Sequence, residues 1–263
     1  MSSEHSRFLD PKNDFAFKRI FGREENKDIL IAFLNDMLDH HYIGQIVAVT
    51  FLPTIQDPDT VDQKESLLDV LCEDQLGRQY IVEMQIARTD HFLKRAQYYA
   101  SKAYSRQLQR GHPYSDLKEV IFLAIVDFPL FPHKAAVKSS HITLDLATGE
   151  HDLRDFYYTF VELCKFTKDI DELESDTERW YFYLKNAQET IGEVYEKMIA
   201  QTPILVKAYK ELDKAYWSEA EMHTYDEVTK HALDTKAKLD YKYKEGLKEG
   251  HQEGLKEGRQ EGL

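Results

Sequence analysis

The spacing of apolar side chains alternates between helical and strand periods along this chain. Over residues 10–22, Phe15, Phe17, Ile20 and Phe21 make most of one helical face, with Asp10 as N-cap, Pro11 at an early helical position and Gly22 as the stop. Over residues 26–41 the pattern is cleaner: Ile29, Leu30, Phe33, Leu34, Met37 and Leu38 predict a core-packed helix. Residues 46–52 predict a strand and residues 53–64 a polar, Asp-rich loop. Two β-branched apolar runs between Leu67 and Ile86 then flank a polar bend, which is a hairpin signature. Gln75-Leu76-Gly77 fits a three-residue loop ending on a left-handed residue, a conformation Gly77 adopts without a Cβ clash. This register sets Asp74 opposite Arg78, Cys72 opposite Tyr80 and Asp69 opposite Glu83.

Residues 91–110 return to the helical period. Within residues 119–128, Val-Ile-Phe-Leu-Ala-Ile-Val is a continuous apolar run, as expected of a strand covered on both faces. Residues 142–146 and 157–166 predict two more strands around Gly149. From residue 169 onward the pattern is helical, over 178–185, 190–201, 203–215 and a long charged segment, 219–243. The prediction is an α/β fold, a mixed sheet flanked by helices, over residues 1–168. A helical region follows over residues 169–243, suited to assembly of a homo-oligomer such as a dimer. Residues 244–263 repeat Lys/Gln-Glu-Gly every four residues. Each glycine costs about 1 kcal/mol against Ala in a helix, so a frayed, low-complexity tail is expected.

Composition narrows the class. At 263 residues and 42% hydrophobic, the chain can bury a core. No apolar run approaches bilayer length and the first residues lack a signal-peptide core, so a soluble cytoplasmic protein without membrane contact is expected. Cys72 and Cys164 lie in apolar runs and are expected as buried free thiols. His40-His41 has no accompanying Cys or His cluster, which argues against zinc. The net charge of −13 counts against a general nucleic-acid binder. One stretch softens this: residues 91–115 hold no acid but carry Lys94, Arg95, Lys102, Arg106 and Arg110. At about 100° per residue, Arg95, Tyr99, Lys102 and Arg106 span an arc of roughly 60°, with Ala96, Ala100, Ala103, Leu93, Tyr104 and Leu108 expected toward the sheet. Such a stripe is ordinarily a solvated face; one that mixes no signs points to phosphate contacts.

The hairpin register carries the candidate chemistry. Paired strand residues share a face with Cβ atoms about 5 Å apart, so Asp69 and Glu83 would be neighbours, with Gln85 on the same face. Opposed like charges beside apolar residues call for a proton, an intruding basic side chain or a divalent cation; Mg²⁺ is typically held by one or two carboxylates plus substrate phosphates. A solvated strand edge with two hydrated acids is the plain alternative. Asp14 and Lys18 are an i, i+4 pair whose simplest meaning is a surface ion pair.

The order Asp69, hairpin, Glu83-Met84-Gln85, helix resembles the PD-(D/E)XK nuclease superfamily. More closely it resembles the family of recombination-promoting nucleases and transposases within it, where Gln stands at the position other members give to Lys. Asp14-Phe15-Ala16-Phe17-Lys18-Arg19-Ile20-Phe21-Gly22 is similar to that family's N-terminal signature, Arg95-Ala96-Gln97-Tyr98-Tyr99 to its Arg-x-x-x-Tyr, and the repeated tail is also found there. The match covers the first half of the chain and the extreme C-terminus. It implies a restriction-endonuclease-like fold and a Mg²⁺-dependent DNA endonuclease that promotes recombination. The implied metal ligands are Asp69 and Glu83, with Gln85 and Asp14 as further catalytic residues and Arg95, Tyr99, Lys102 and Arg106 on the DNA. A neutral amide at position 85 orients groups by hydrogen bonds but neutralises no charge, so Arg95 or Lys102 is expected to supply it.

Two other classes stay open. A nuclease scaffold that does no chemistry and self-assembles through its C-terminal helices would gain no stability from a metal. A hydrolase of small phosphorylated molecules would need a closed apolar pocket in place of an open basic groove. No Gly-rich phosphate loop, Ser nucleophile elbow or Cys-His pair points elsewhere.

Overall fold

Alternation along the strands divides the molecule into two cores on either side of one sheet. The structure is a computed structural model that describes residues 7–56, 66–89 and 91–261. It opens with helices α1 (Asp14–Phe21), α2 (Lys27–Met37) and the short α3 (His40–Ile43). Strand β1 (Val49–Phe51) follows, then a small separate pair, β2 (Ile55–Gln56) and β3 (Ser66–Leu67). The hairpin is β4 (Val70–Asp74) and β5 (Gln79–Gln85), joined through α4 (Phe92–Arg106) to β6 (Val120–Val126), β7 (Lys138–His141) and β8 (Phe156–Glu162). The six-stranded sheet has the order β1-β4-β5-β6-β8-β7, with β5, β6 and β8 mutually parallel and the outer pairings antiparallel. Helices α5 (Asp176–Asn186), α6 (Gly192–Gln201), α7 (Ile204–Leu212) and α8 (Glu219–Glu261) complete the chain.

On one face Val70, Cys72, Tyr80, Val82, Leu123 and Ile125 pack with residues of α1, α2 and α5 to α7. On the other, Leu71, Ile81, Phe122, Ala124 and Val126 meet Phe92, Ala96, Ala100 and Ala103 of α4. The helices after residue 169 share their core with the N-terminal ones: ring centroids lie 4.6 Å apart for Phe21–Phe33 and 5.2 Å for Phe33–Trp180. The expected mixed sheet with flanking helices and a helical C-terminal region is what forms. Among the described residues, no helix is long and apolar enough to cross a membrane.

Local chemistry moved several boundaries. Asp10 does not cap α1; its carboxylate accepts from the Lys12 N–H at 2.9 Å, and Asn13 takes the cap, accepting from Phe15 and Ala16. The strand expected over 46–52 shortens to Val49–Phe51 because Asn35 holds the backbone of Ile46 through both its amide atoms, at 2.8 and 3.0 Å. The run 142–146 is not a strand: Thr143 donates to the Leu153 carbonyl at 2.6 Å and Asp145 accepts from Ala147 at 2.8 Å in a turn. The polar segment Lys138–His141 takes the edge instead, where backbone pairing suffices. Cys72 is buried, but Cys164 is exposed in the tight turn Leu163–Lys165 that ends β8. Leu93, expected against the sheet, is 36% exposed. Residues 57–64 of the predicted loop lie outside the described residues. The glycine repeat continues as helix within the 43-residue α8. A helix already nucleated by packed residues such as Tyr225 propagates through weak formers, because nucleation is the costly step.

Candidate active site

The β4–β5 hairpin places the two acids. Gly77, at φ 78°, closes the turn, its N–H donating to the Asp74 carbonyl at 3.0 Å while Asp74 N–H donates to the Arg78 carbonyl at 3.0 Å. Cys72 pairs with Tyr80 and Val70 with Val82, as the predicted register requires. One step outward, Asp69 sits in the bend that enters β4, facing Glu83 on β5. Asp69 Oδ2 accepts the Met84 N–H at 2.8 Å, and Glu83 Oε1 accepts the Asp69 N–H at 3.3 Å. Two residues beyond Glu83, Gln85 Oε1 accepts from the Arg95 guanidinium of α4. That guanidinium lies 5.0 Å from the Phe92 ring and 6.0 Å from the Tyr99 ring, and its Nε is buried without a hydrogen-bond partner. From the other helical layer, α1 brings Lys18 Nζ to 3.3 Å from Asp69 Oδ1 and 2.9 Å from Asp14 Oδ2.

The electrostatics follow from burial. The Asp69 side chain is 12% exposed, and Glu83 is 5% exposed. Burial first, then the negative charge of Asp14 and a hydrogen bond with its carboxyl, push Asp69 up to about 7, against the weaker pull of Lys18 and the Met84 N–H. Burial and then the Asp69 charge hold Glu83 well above the usual carboxylate range, despite the Asp69 N–H, Arg95 and Lys18. Burial works to lower the Lys18 ammonium, but Asp69 and Asp14 outweigh it and the group is raised. The centre is therefore short of positive charge near neutral pH.

Contacts link Asp14, Asp69, Glu83, Gln85 and Arg95 into two neighbouring groups on this face, and Tyr99 lies beside Arg95. Lys102 is only 7% exposed. At about 100° per residue, the arc from Lys102 to Tyr99 directly borders the one holding Phe92, Ala96, Ala100 and Ala103, so the stripe is the flank of α4 and not its solvent face. Arg106 is half-buried on the same flank, three turns from Arg95. The residue that sequence reasoning missed is Lys18, taken for one half of a surface pair with Asp14. Its signal was membership of the N-terminal signature; periodicity held nothing to show which strand residue α1 would meet.

Among the described residues, no group of three or more Asp, Glu, His or Cys side chains is arranged to hold a metal. Two paired carboxylates short of positive charge suit a hard cation that takes few protein ligands and leaves its remaining positions to water and phosphate.

A mixed sheet between helical layers, with acids at facing positions of a hairpin and a cation-bearing helix next along the chain, defines a PD-(D/E)XK nuclease-like domain. The family model of the PD-(D/E)XK nuclease family transposases matches residues 11–242, and the chain belongs to that family. No curated protein and no solved structure matches it.

Proposed function

We propose that this protein is a divalent-metal-dependent DNA endonuclease that promotes recombination. The observation that carries the proposal is the pair Asp69 and Glu83, facing each other across the hairpin, Glu83 buried and Asp69 largely so, both reluctant to ionise, with Lys18 and Arg95 at their flanks. Asp69 and Glu83 are the residues that would hold Mg²⁺. When bound there, such a cation supplies Lewis acidity toward the scissile phosphate and makes a nucleophile of water near neutral pH. Gln85, steered by Arg95, orients the substrate by hydrogen bonds, and Asp14 sets the position of Lys18. Arg95, Tyr99 and Arg106 on the flank of α4 contact the DNA backbone. The charged helix α8 is assigned to self-association of the chain.

The test is nicking of supercoiled plasmid with Mg²⁺ or Mn²⁺ by wild type, Asp69→Ala and Glu83→Ala. Both variants should lose roughly 100-fold or more, the loss seen when a stabiliser of transition-state charge is removed. Equal activity in all three places the chemistry elsewhere, and an inert wild type leaves a scaffold that works by assembly alone.

A further inference from the structure

Charge accounting at the site leaves one unfilled role. Asp14, Asp69 and Glu83 bring three carboxyl groups together, and a phosphodiester would add further negative charge. Gln85, two residues beyond Glu83 on the same strand, is neutral. Arg95 donates to Gln85 and lies against Phe92 and Tyr99, and Lys102 is buried. Lys18 differs in two respects. Its ammonium has three protons and contacts two carboxylates, Asp14 at 2.9 Å and Asp69 at 3.3 Å. Its side chain is 30% exposed against 12% for Asp69, so the lysine is the more open to solvent of the two.

The helix beneath Lys18 is held by the C-terminal half of the chain. Asn13 donates from Nδ2 to Thr229 Oγ1 at 2.9 Å and to the Tyr225 carbonyl at 3.2 Å, both on α8. Arg19 donates to Glu211 of α7 at 3.1 Å and to the Tyr216 carbonyl at 3.0 Å. Phe17, Ile20 and Phe21 are fully buried. At the end of α1, a Cβ on Gly22 would fall 2.8 Å from the Lys18 carbonyl oxygen, so that turn tolerates only glycine without shifting. The four-carbon stem of Lys18 thus moves on a fixed base.

We propose that Lys18, delivered by α1 from outside the hairpin, is the catalytic cation of this site, donating from Nζ to a non-bridging oxygen of the scissile phosphate. Arg19 and Asn13 are positioning residues that act through α1, and the helices after residue 200 have a part in the chemistry through them. The proposal rests on the nuclease function proposed above.

The experiment compares wild type, Lys18→Met, Lys18→Arg and the double variant Lys18→Met with Gln85→Lys. Single-turnover plasmid nicking is measured with Mn²⁺, and Mn²⁺ affinity is measured separately by calorimetry. Lys18→Met should slow cleavage by about 100- to 1000-fold. Its Mn²⁺ affinity should be equal to wild type or tighter, because a competing ammonium has gone. Lys18→Arg should stay within about tenfold of wild type, since charge is retained while the point-like ammonium is replaced by a planar fork. The double variant, which restores an ammonium on the strand, should recover at least about tenfold over Lys18→Met. Wild-type cleavage by Lys18→Met overturns the proposal. So does weakened Mn²⁺ binding in Lys18→Met with no recovery in the double variant, the result of a merely structural ion pair. Should Lys18→Met fail to fold, Lys18→Gln removes the same charge from a polar side chain and is held to the same outcomes. An inert wild type refutes the nuclease function itself; active wild type with fully active Lys18→Met refutes only the role of the lysine.

Discussion

Replacing Asp69 by Asn should stabilise the fold, and only at a pH where the carboxyl group would be ionised. In the folded protein this carboxyl is pushed from its ordinary 3.8 to about 7, with burial the largest cause. A folded-state value above the unfolded one means that the native protein binds the proton more tightly between those limits. Stability therefore falls as pH rises from about 4 through about 7, and levels off above. The gap is about three pH units at about 1.4 kcal/mol each, a ceiling of roughly 4 kcal/mol on the cost of ionising this group. Glu83 is raised by the same burial and by Asp69 itself, so the measured slope belongs to the pair.

Asn keeps an oxygen for the Met84 N–H, and the attraction of Lys18 for the ionised acid already holds the Asp69 value down to about 7, so its loss is contained in that ceiling. The variant should be more stable than wild type by up to about 4 kcal/mol near pH 8, by about 1.5 kcal/mol near pH 5, and nearly equal to it near pH 4. Urea unfolding in EDTA across that range measures it. A variant with the wild-type slope, or one less stable than wild type near pH 8, would refute the reasoning. The same acids must be ionised to bind a cation, so millimolar Mg²⁺ or Mn²⁺ should flatten the wild-type decline above neutral pH, and metal-dependent cleavage should rise as pH passes through about 7.

Two further outcomes test the frame around the acids. Gly77→Ala forces a left-handed backbone on a residue with a Cβ; it should cost about 1–2 kcal/mol in urea unfolding and weaken Mn²⁺ binding, because the turn sets the register that pairs Asp69 with Glu83. Unchanged cation affinity in that variant would separate the turn from the site. Arg95→Ala should lower the slope of log affinity against log salt by about 0.9 in DNA-binding anisotropy, the signature of one lost phosphate contact. An unchanged slope would confine Arg95 to holding Gln85.

The hairpin was legible in the sequence because its determinants are local. Gly77 is needed at a left-handed turn position, and a period of two in side-chain direction then leaves a single register that buries Leu71 and Ile81 together and turns Asp69 toward Glu83. The central strand was legible for a like reason: seven consecutive apolar residues from Val120 to Val126 have no favourable place except inside. Polar side chains made other elements hard to read, since Asn13 and Asn35 act by capturing particular backbone groups and leave no periodic trace.

What only the tertiary structure decided is the charge around the acids. Lys18 lies some fifty positions before Asp69 and joins it only because α1 is clamped to α7 and α8 by Asn13, Arg19 and a buried aromatic face. Lys102 shares the helical phase of Arg95 and yet is buried, since the closeness of α4 to the sheet is set by the small side chains of Ala96, Ala100 and Ala103 beside it. Local spacing determined which carboxylates oppose each other; long-range packing determined which cations reach them, because a charge acts through distance in space and not along the chain.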